Sequence, residues 1–538
     1  MIYIIVTVLI YLFITTYLGY LGYKQTKTAN DYLLAGRQIH PLVMALSYGA
    51  TFISTSAIVG FGGAAGSLGM GLLWLTFLNI FVGIFIAFII FGKRTRKMGH
   101  NLDAHTFPEL LGTRFQSKFI QGFSALVIFL FMPVYAAAVV KGGADFIQSY
   151  FNIPFEVSLL FFVAIVSIYV WMGGMKGVMY TDAFQGLIMF LGMLFLLIYV
   201  YNMLGGVTAA HTQLTALFAD PAVQEQTAPM VKGGFQGWTA MPSFGSPIWW
   251  SLVSTIIMGV GIGVLAQPQL VVRFMTVKSN RELNRAVVSG GVFIFMMTGV
   301  AFLVGALSNV AFFGDTGSIA SVAAGSTDKI IPTFIKTYLP DWYGAIFMVT
   351  LLAAAMSTLS SQFHTIGSAA GRDIYEKTLG KSSNSILVIR MAIFIGIILT
   401  TVLAWLSKYL DSGMAVIATG TALFFGLCAA TFLPAYICAL YFRKVSATAV
   451  KSGMVSGFVT AIFWIFFVHE KESSSLQLCM YLIGKTSIVK DTALAKLAMV
   501  DPIFIALPVS ILVTILIAQL TKNTLEQKHI DKCFNGIK

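Results

Sequence analysis

Long apolar stretches alternate with short polar ones along the whole chain, and the apolar stretches are longer than a buried helix of a water-soluble core requires. A bilayer crossing takes about 20 mostly apolar residues. Thirteen stretches meet that length, roughly 2–22, 41–66, 68–92, 119–151, 153–172, 180–203, 248–272, 286–314, 342–370, 386–407, 411–441, 452–468 and 502–520. Lipid offers no hydrogen bonds to backbone groups, so each stretch is predicted to be a helix. Those at 41–66 and 411–441 are the least regular, because glycine and hydroxyl residues interrupt them. The first has no basic segment before it and no small-residue cleavage site after it, so it is expected to remain as a helix.

Composition agrees: 57% of residues are hydrophobic and 10% charged, against about a quarter charged in a soluble domain. A net charge of +13 would suggest nucleic acid as a partner of a soluble protein, but here the basic residues sit in short loops between apolar runs. Of 34 Lys and Arg, 24 fall in the loops after odd-numbered spans and in the C-terminal tail, and eight in the remaining loops. Basic loops stay on the cytoplasmic side. The expected arrangement is a multi-pass protein of the cell membrane, N-terminus outside and C-terminus inside, with lipid and not nucleic acid as its surroundings.

The chemistry of an enzyme is not visible. No phosphate-binding lysine motif occurs, and the polar loops 204–247, 315–341 and 469–501 are too short for a catalytic domain. The last of them mixes Lys, Glu and Ser as a solvated connector does. The seven histidines are scattered, with no second His or Cys near His364 in sequence. Cys428, Cys438, Cys479 and Cys533 are widely spaced, so no disulfide framework and no zinc site is expected. No cofactor is implied.

Two spans carry signs of interruption. The second contains Ser47-Tyr48-Gly49-Ala50-Thr51-Phe52-Ile53-Ser54-Thr55-Ser56, and the seventh contains Gly259-Val260-Gly261-Ile262-Gly263 ahead of Gln267-Pro268. Transporters often place broken helices at corresponding positions of two inverted repeats, where freed carbonyls hold an ion and helix ends meet a substrate. Spans two to six would then match spans seven to eleven. The run Gly60-Phe61-Gly62-Gly63-Ala64-Ala65 fits a dinucleotide-binding pattern, but it lies inside an apolar span with no strand before it. Close helix packing through Gly62 and Gly66 is the expected use of these glycines.

The ninth span holds Ala354-Ala355-Met356-Ser357-Thr358. A hard monovalent cation stripped of water needs oxygen ligands. The hydroxyls of Ser357 and Thr358 with the carbonyl of Ala354 can supply three, and the carbonyls of Ala50 and Ile53 the rest. Asp182 opens the sixth span, either as a helix-start carboxylate or as a group on the ion's route. Lys141 lies deep in the fourth span, where a charge must face a cavity, a partner or an anion, or reach outward to the membrane surface.

These residues resemble the sodium/solute symporter family. The resemblance covers about residues 1–445 and is clearest in four segments: Asn30 to Arg37; Gly173-Gly174 through Tyr180-Thr181-Asp182 to Gln185-Gly186; Gln267-Pro268 with Val272-Arg273-Phe274-Met275; and Ala354 to Thr358 with Asp373-Ile374-Tyr375. It implies an all-α membrane protein of about 13 transmembrane helices with a leucine-transporter-like fold, a five-plus-five inverted repeat with broken first helices. The units expected are an extra helix and loop at 1–40, a first repeat at 41–203, an outer loop at 204–247, a second repeat at 248–445, and two helices with a cytoplasmic tail at 446–538. It also implies uptake of a small solute by symport with sodium, bound by Ala50, Ile53, Ala354, Ser357 and Thr358, with Asp182 on the sodium route. Thr51, Ser54, Lys141 and Gln267 are expected beside the substrate, between spans two, four and seven.

Proline-carrying members of the family have an acidic residue where Phe52 stands, and aromatics where Val260 and Val264 stand. The pattern here is more similar to members that carry pantothenate and monocarboxylates, and Lys141 suits a carboxylate. Proton coupling, or a sensor that kept the symporter fold, are the alternatives. Oligomeric state is not encoded in any of these features.

Overall fold

The computed structural model describes residues 2–25, 29–172, 175–381, 385–410 and 416–537. Gly173 and Gly174 of the family segments, and residues 411–415 at the start of the eleventh predicted span, lie outside the described residues. Among the described residues all regular elements are helical, and the one strand-like contact is an isolated bridge between Ile39 and Val277.

Among the described residues eleven helices are long and apolar enough to cross a bilayer, and the pair Pro41–Phe52 and Ser56–Leu68, bent by 55°, makes a twelfth span. The shorter apolar helix Phe155–Ser167 stands where the fifth span is predicted, so all thirteen predicted positions carry helix. The predicted ends are less accurate. Met70–Leu102 runs ten residues past the predicted end at 92, because apolar length marks contact with lipid, whereas the helix stops only at Asp103, whose φ of 49° is left-handed.

The ninth span, Asp341–Thr378, is 94% buried over its apolar window and the eleventh, Ile417–Tyr441, 89%, whereas the first and thirteenth are 22% buried. The bundle is therefore built around spans nine and eleven. The half-helix Pro41–Phe52 packs on Met175–Met203, Asn280–Ile294 and Asp341–Ser368, which carries one end of the broken span into the centre. Its continuation Phe61–Leu68 packs on Val300–Thr316.

That second contact is where the glycine run is used. A Cβ placed on Gly305 would lie 1.9 Å from the Gly62 carbonyl oxygen, and one on Gly63 would lie 2.1 Å from that of Thr327. Both are backbone atoms and cannot swing aside. The Gly66 carbonyl accepts from Trp238 Nε1 at 2.8 Å and from Asn309 Nδ2 at 2.7 Å, so the fully buried Trp238 of the long loop 204–247 anchors that loop on the bundle.

Residues 480–485 and 490–496 of the loop 469–501 are exposed, as a solvated connector requires, but its first turn differs. His469, Glu472 and Ser473 are buried in its first turn, where the imidazole of His469 pairs with Glu472. Burial opposes the charge on Glu472, but His469 beside it keeps that carboxyl below the usual range. Composition cannot distinguish such a paired turn from an exposed one, since both are written in the same polar residues.

Gly305→Ala must push the two helices apart, and overpacking of this kind costs about 1–3 kcal/mol. The melting temperature of the detergent-solubilised protein is expected to fall; an unchanged value would contradict the close approach of Gly62 and Gly305.

Candidate functional site

The second span ends its first half at Ile53, whose backbone is extended at φ −91°, ψ 104°. Ser54 then starts the second half: its carbonyl accepts from the Ala57 and Ile58 N–H groups at 3.0 and 3.3 Å, and its Oγ accepts from the Ser56 N–H at 3.1 Å. In an unbroken helix the carbonyls of Ala50 and Thr51 would accept from the N–H groups four residues on, which are those of Ser54 and Thr55 at the break. Freed of that duty, both carbonyls turn to the ninth span. Ser357 Oγ donates to the Ala50 carbonyl at 2.8 Å and to that of Ala354 at 3.2 Å. Thr358 Oγ1 donates to the Thr51 carbonyl at 3.1 Å and to that of Ala50 at 3.4 Å.

Five oxygens from two distant stretches thus converge in a fully buried place. Four of the five residues named from the sequence are in it: Ala50, Ala354, Ser357 and Thr358. Ile53 sits at the break itself, its N–H donating to the Gly49 carbonyl at 2.8 Å; the second-span carbonyls that meet the hydroxyl pair are those of Ala50 and Thr51. Each hydroxyl keeps lone pairs in addition to the proton it donates, so the set is chemically suited to a bare alkali cation.

The seventh span breaks in the same manner. Helix up to Ala266 gives way to extended backbone at Gln267, φ −74° and ψ 114°, and Pro268 opens the half-helix Pro268–Phe274. Its Arg273 is fully buried and reaches three other spans. Arg273 Nη2 donates to Asp182 Oδ2 at 2.7 Å, to Ser361 Oγ at 2.7 Å and to Thr51 Oγ1 at 2.5 Å, and Nε donates to Ser47 Oγ at 3.2 Å. Ser47 and Thr51 also donate to Asp182 Oδ2 at 3.0 and 3.2 Å, leaving Asp182 Oδ1 buried with no partner among the described residues. One guanidinium and one carboxylate therefore join both broken spans to the sixth and the ninth, directly beside the Ser357–Thr358 oxygens. Sequence reasoning counted Arg273 as a loop cation and missed this role. The available signal was the helix-starting proline five residues before it, which puts Arg273 inside a half-helix and not in a loop.

A small central cavity of about 20 Å³ lies against the first break, lined by Phe52, Ser54, Phe61, Asn79, Tyr135 and Phe425 among others, and among the described residues no ionisable side chain other than the Tyr135 phenol borders it. Of the four residues expected beside a substrate, Ser54 is in this lining. Thr51 turns its hydroxyl to Asp182 and Arg273 instead. Gln267 is buried, donating to the Gly263 carbonyl at 3.4 Å. Lys141 Nζ is held by two carboxylates, Asp145 Oδ2 at 2.6 Å and Asp328 Oδ2 at 3.2 Å. It borders a different cavity, shared with Thr419 and Lys471, at the end of the bundle opposite Asp182. Its charge in the apolar span is thus matched by partners in the chain, one of the outcomes the sequence left open. Among the described residues no group of three His, Cys, Asp or Glu is placed to hold a metal, and all four cysteines are free and buried.

Comparison with known proteins bears on family and fold. The family model described as the sodium:solute symporter family matches residues 32–457. "Sodium/proline symporter 2" of Staphylococcus saprophyticus is 27% identical over 492 residues, covering 89% of each chain. "Osmoregulated proline transporter OpuE" of Bacillus subtilis is 27% identical over 472 residues, covering 86% of this chain and 88% of that one. A solved structure of a Na+-coupled sialic acid symporter, in a substrate-bound outward-open state, superposes with a TM-score of 0.73 at 19% identity, covering 97% of this chain and 99% of that one. The fold is the leucine-transporter-like one.

Asp182→Asn leaves the Arg273 guanidinium buried without its counter-charge, which costs about 3–5 kcal/mol. The variant is expected to melt well below the parent protein in detergent, while the double variant Asp182→Leu, Arg273→Met recovers most of the loss. Equal melting of Asp182→Asn and the parent would show that the pair is not closed in the native state.

Proposed function

The chain belongs to the sodium:solute symporter family, and from that premise we propose that it carries a small carboxylate-bearing organic solute into the cell together with sodium. The observation that carries the ion site is the meeting of the Ala50 and Thr51 carbonyls with the Ser357 and Thr358 hydroxyls. In this reading sodium sits among the oxygens of Ala50, Ala354, Ser357 and Thr358, with Ile53 at the break completing the set. Each hydroxyl turns its lone pairs to the ion. Sodium there ties the first half of span two to span nine, holds the break open, and so shapes the cavity beside Ser54.

The substrate binds at that cavity, which must widen from about 20 Å³ to admit it. With no cationic side chain in the lining, a carboxylate finds its counter-charge in the ion and in the positive end of the half-helix that starts after Ser54. Lys141, already held by Asp145 and Asp328, is assigned to fastening the segment around Asp328 onto span four and not to the substrate. Asp182, whose Oδ1 has no partner among the described residues, lies on the route by which sodium leaves toward the basic, cytoplasmic side once the Arg273 contacts open. The N-terminus then lies outside and the C-terminus inside the cell membrane. Uptake proceeds as the two repeats rock about the central site. A monovalent anion accompanied by one sodium moves no net charge, so drive from the membrane potential, about 2.3 kcal/mol per 100 mV per charge, requires a second cation.

Proline is the second reading, favoured by the names of the two relatives. Against it, the lining offers no carboxylate to an ammonium group, since Phe52 and Val260 occupy the wall.

Reconstitution into proteoliposomes with labelled carboxylates, amino acids and sugars, with and without an inward sodium gradient, tests the reading. Sodium-driven uptake of carboxylates is expected, and uptake of proline alone would select the second reading. Thr358→Ala is expected to raise the sodium concentration for half-maximal uptake by about tenfold or more, with little change in substrate affinity at saturating sodium. An unaltered sodium dependence would remove Thr358 from the ion site.

A further inference from the structure

The ninth span carries a buried imidazole that the proposed ion site does not use. His364 is 4% exposed, and its Nδ1 is buried with no partner among the described residues. It stands three positions after Ser361 on Asp341–Ser368, and residues so spaced are neighbours on one helix face. Ser361 Oγ receives Arg273 Nη2 at 2.7 Å, so the imidazole lies one turn beyond that anchor, on the side away from Ser357 and Thr358 and within reach of the guanidinium charge. Its ring packs against that of Tyr32, the centroids 5.4 Å apart. Gln362 is likewise unpaired, at both amide atoms, but it stands about 100° round the helix from Ser361, off the face that Arg273 meets.

Passage of sodium by Asp182 creates a need for such a group. Asp182 Oδ1 has no partner among the described residues, while Oδ2 accepts from Arg273 at 2.7 Å. An ion arriving at Asp182 therefore meets a guanidinium bound to the same carboxylate, and like charges that close in a buried place repel strongly. One of them has to move. The hydroxyls that hold Arg273 give it no distance from the ion, because Ser47 and Thr51 bond the same carboxylate oxygen and Ser361 Oγ is 3.1 Å from Thr51 Oγ1. A guanidinium left buried without a partner is costly. A neutral imidazole with its proton on Nε2 accepts at Nδ1, and one turn farther on it offers the arginine a second place.

Resting on the proposed sodium route, we infer that His364 is the alternate partner of Arg273: when sodium reaches Asp182, the guanidinium leaves the carboxylate and donates to His364 Nδ1, and it returns once the ion has left. His364 is thus a positioning residue, acting through Arg273 and touching neither ion nor solute. Its open nitrogen weakens the closed arrangement and stabilises the one from which the ion departs.

Thermal melting of the full chain in detergent tests the pairing without any solute. In the parent, His364→Leu removes a buried acceptor that has no partner, so the melting temperature is expected to hold or rise. In the Asp182→Leu background Arg273 has lost its carboxylate and turns to His364, so the same change is expected to lower the melting temperature by about 2 °C or more. His364→Asn, whose amide oxygen stands near the place of Nδ1, is expected to spare most of that loss. Equal effects of His364→Leu in the two backgrounds overturn the pairing. Sodium-driven uptake of the same labelled solutes by proteoliposomes reads the role a second way, and decides where Asp182→Leu does not fold. His364→Leu is expected to cut the maximal rate by about tenfold or more, with the half-saturating sodium concentration unchanged and His364→Asn largely active. A maximal rate that His364→Leu leaves intact overturns the inference while the symport reading stands. A parent that accumulates none of the solutes overturns the symport reading, and the sodium-linked role of His364 with it.

Discussion

The structure depends on two backbone carbonyls that have lost their helical partners inside a membrane. Lipid supplies no donor to an orphaned C=O, and each one left bare costs several kcal/mol. The break at Ile53 and Ser54 deprives Ala50 and Thr51 of their donors, and the hydroxyls of Ser357 and Thr358 are the groups that answer. That requirement explains why the first half of span two is drawn into the bundle centre against a ninth span that is almost wholly buried. In the proposed reading, these hydroxyls hold the carbonyls when no ion is bound and become ligands when one arrives.

Charge is distributed around this site and kept out of the cavity next to it. Arg273 and Asp182 join four spans on the side of the basic loops, and Lys141 with Asp145 and Asp328 ties the opposite end. Both are clusters that hold elements of different repeats together and must rearrange if those repeats rock. Between them the cavity is lined by aromatic, hydroxyl and amide groups. In the proposed symport an ion and a helix end are then the counter-charges for a bound anion, since the lining offers no cationic side chain among the described residues.

Much of this was legible in the sequence, for identifiable reasons. Helix positions follow from apolar length, which the bilayer imposes directly. The breaks were readable because glycine, hydroxyl residues and Gln267-Pro268 stand where a span has no other need of them, and the hydroxyl pair followed from the chemistry of a cation without water. What sequence could not supply was the direction of side chains. Thr51 and Ser54 are three residues apart, yet the turn of the chain at Ile53 sends one to Asp182 and the other to the cavity. Arg273 looked like a topology signal until the half-helix Pro268–Phe274 carried it inward. The partners of Lys141 lie one turn on and nearly 190 residues on, and the second is beyond any local pattern.

The account stands on a cation held between the broken second span and the ninth. Its most direct test is equilibrium binding of radioactive sodium to the purified protein, beside a variant in which Ser357→Ala and Thr358→Val remove both hydroxyls at nearly constant volume. The parent is expected to bind sodium saturably, and the folded variant to lose at least one bound ion per chain. Equal sodium binding by the two proteins would contradict the account.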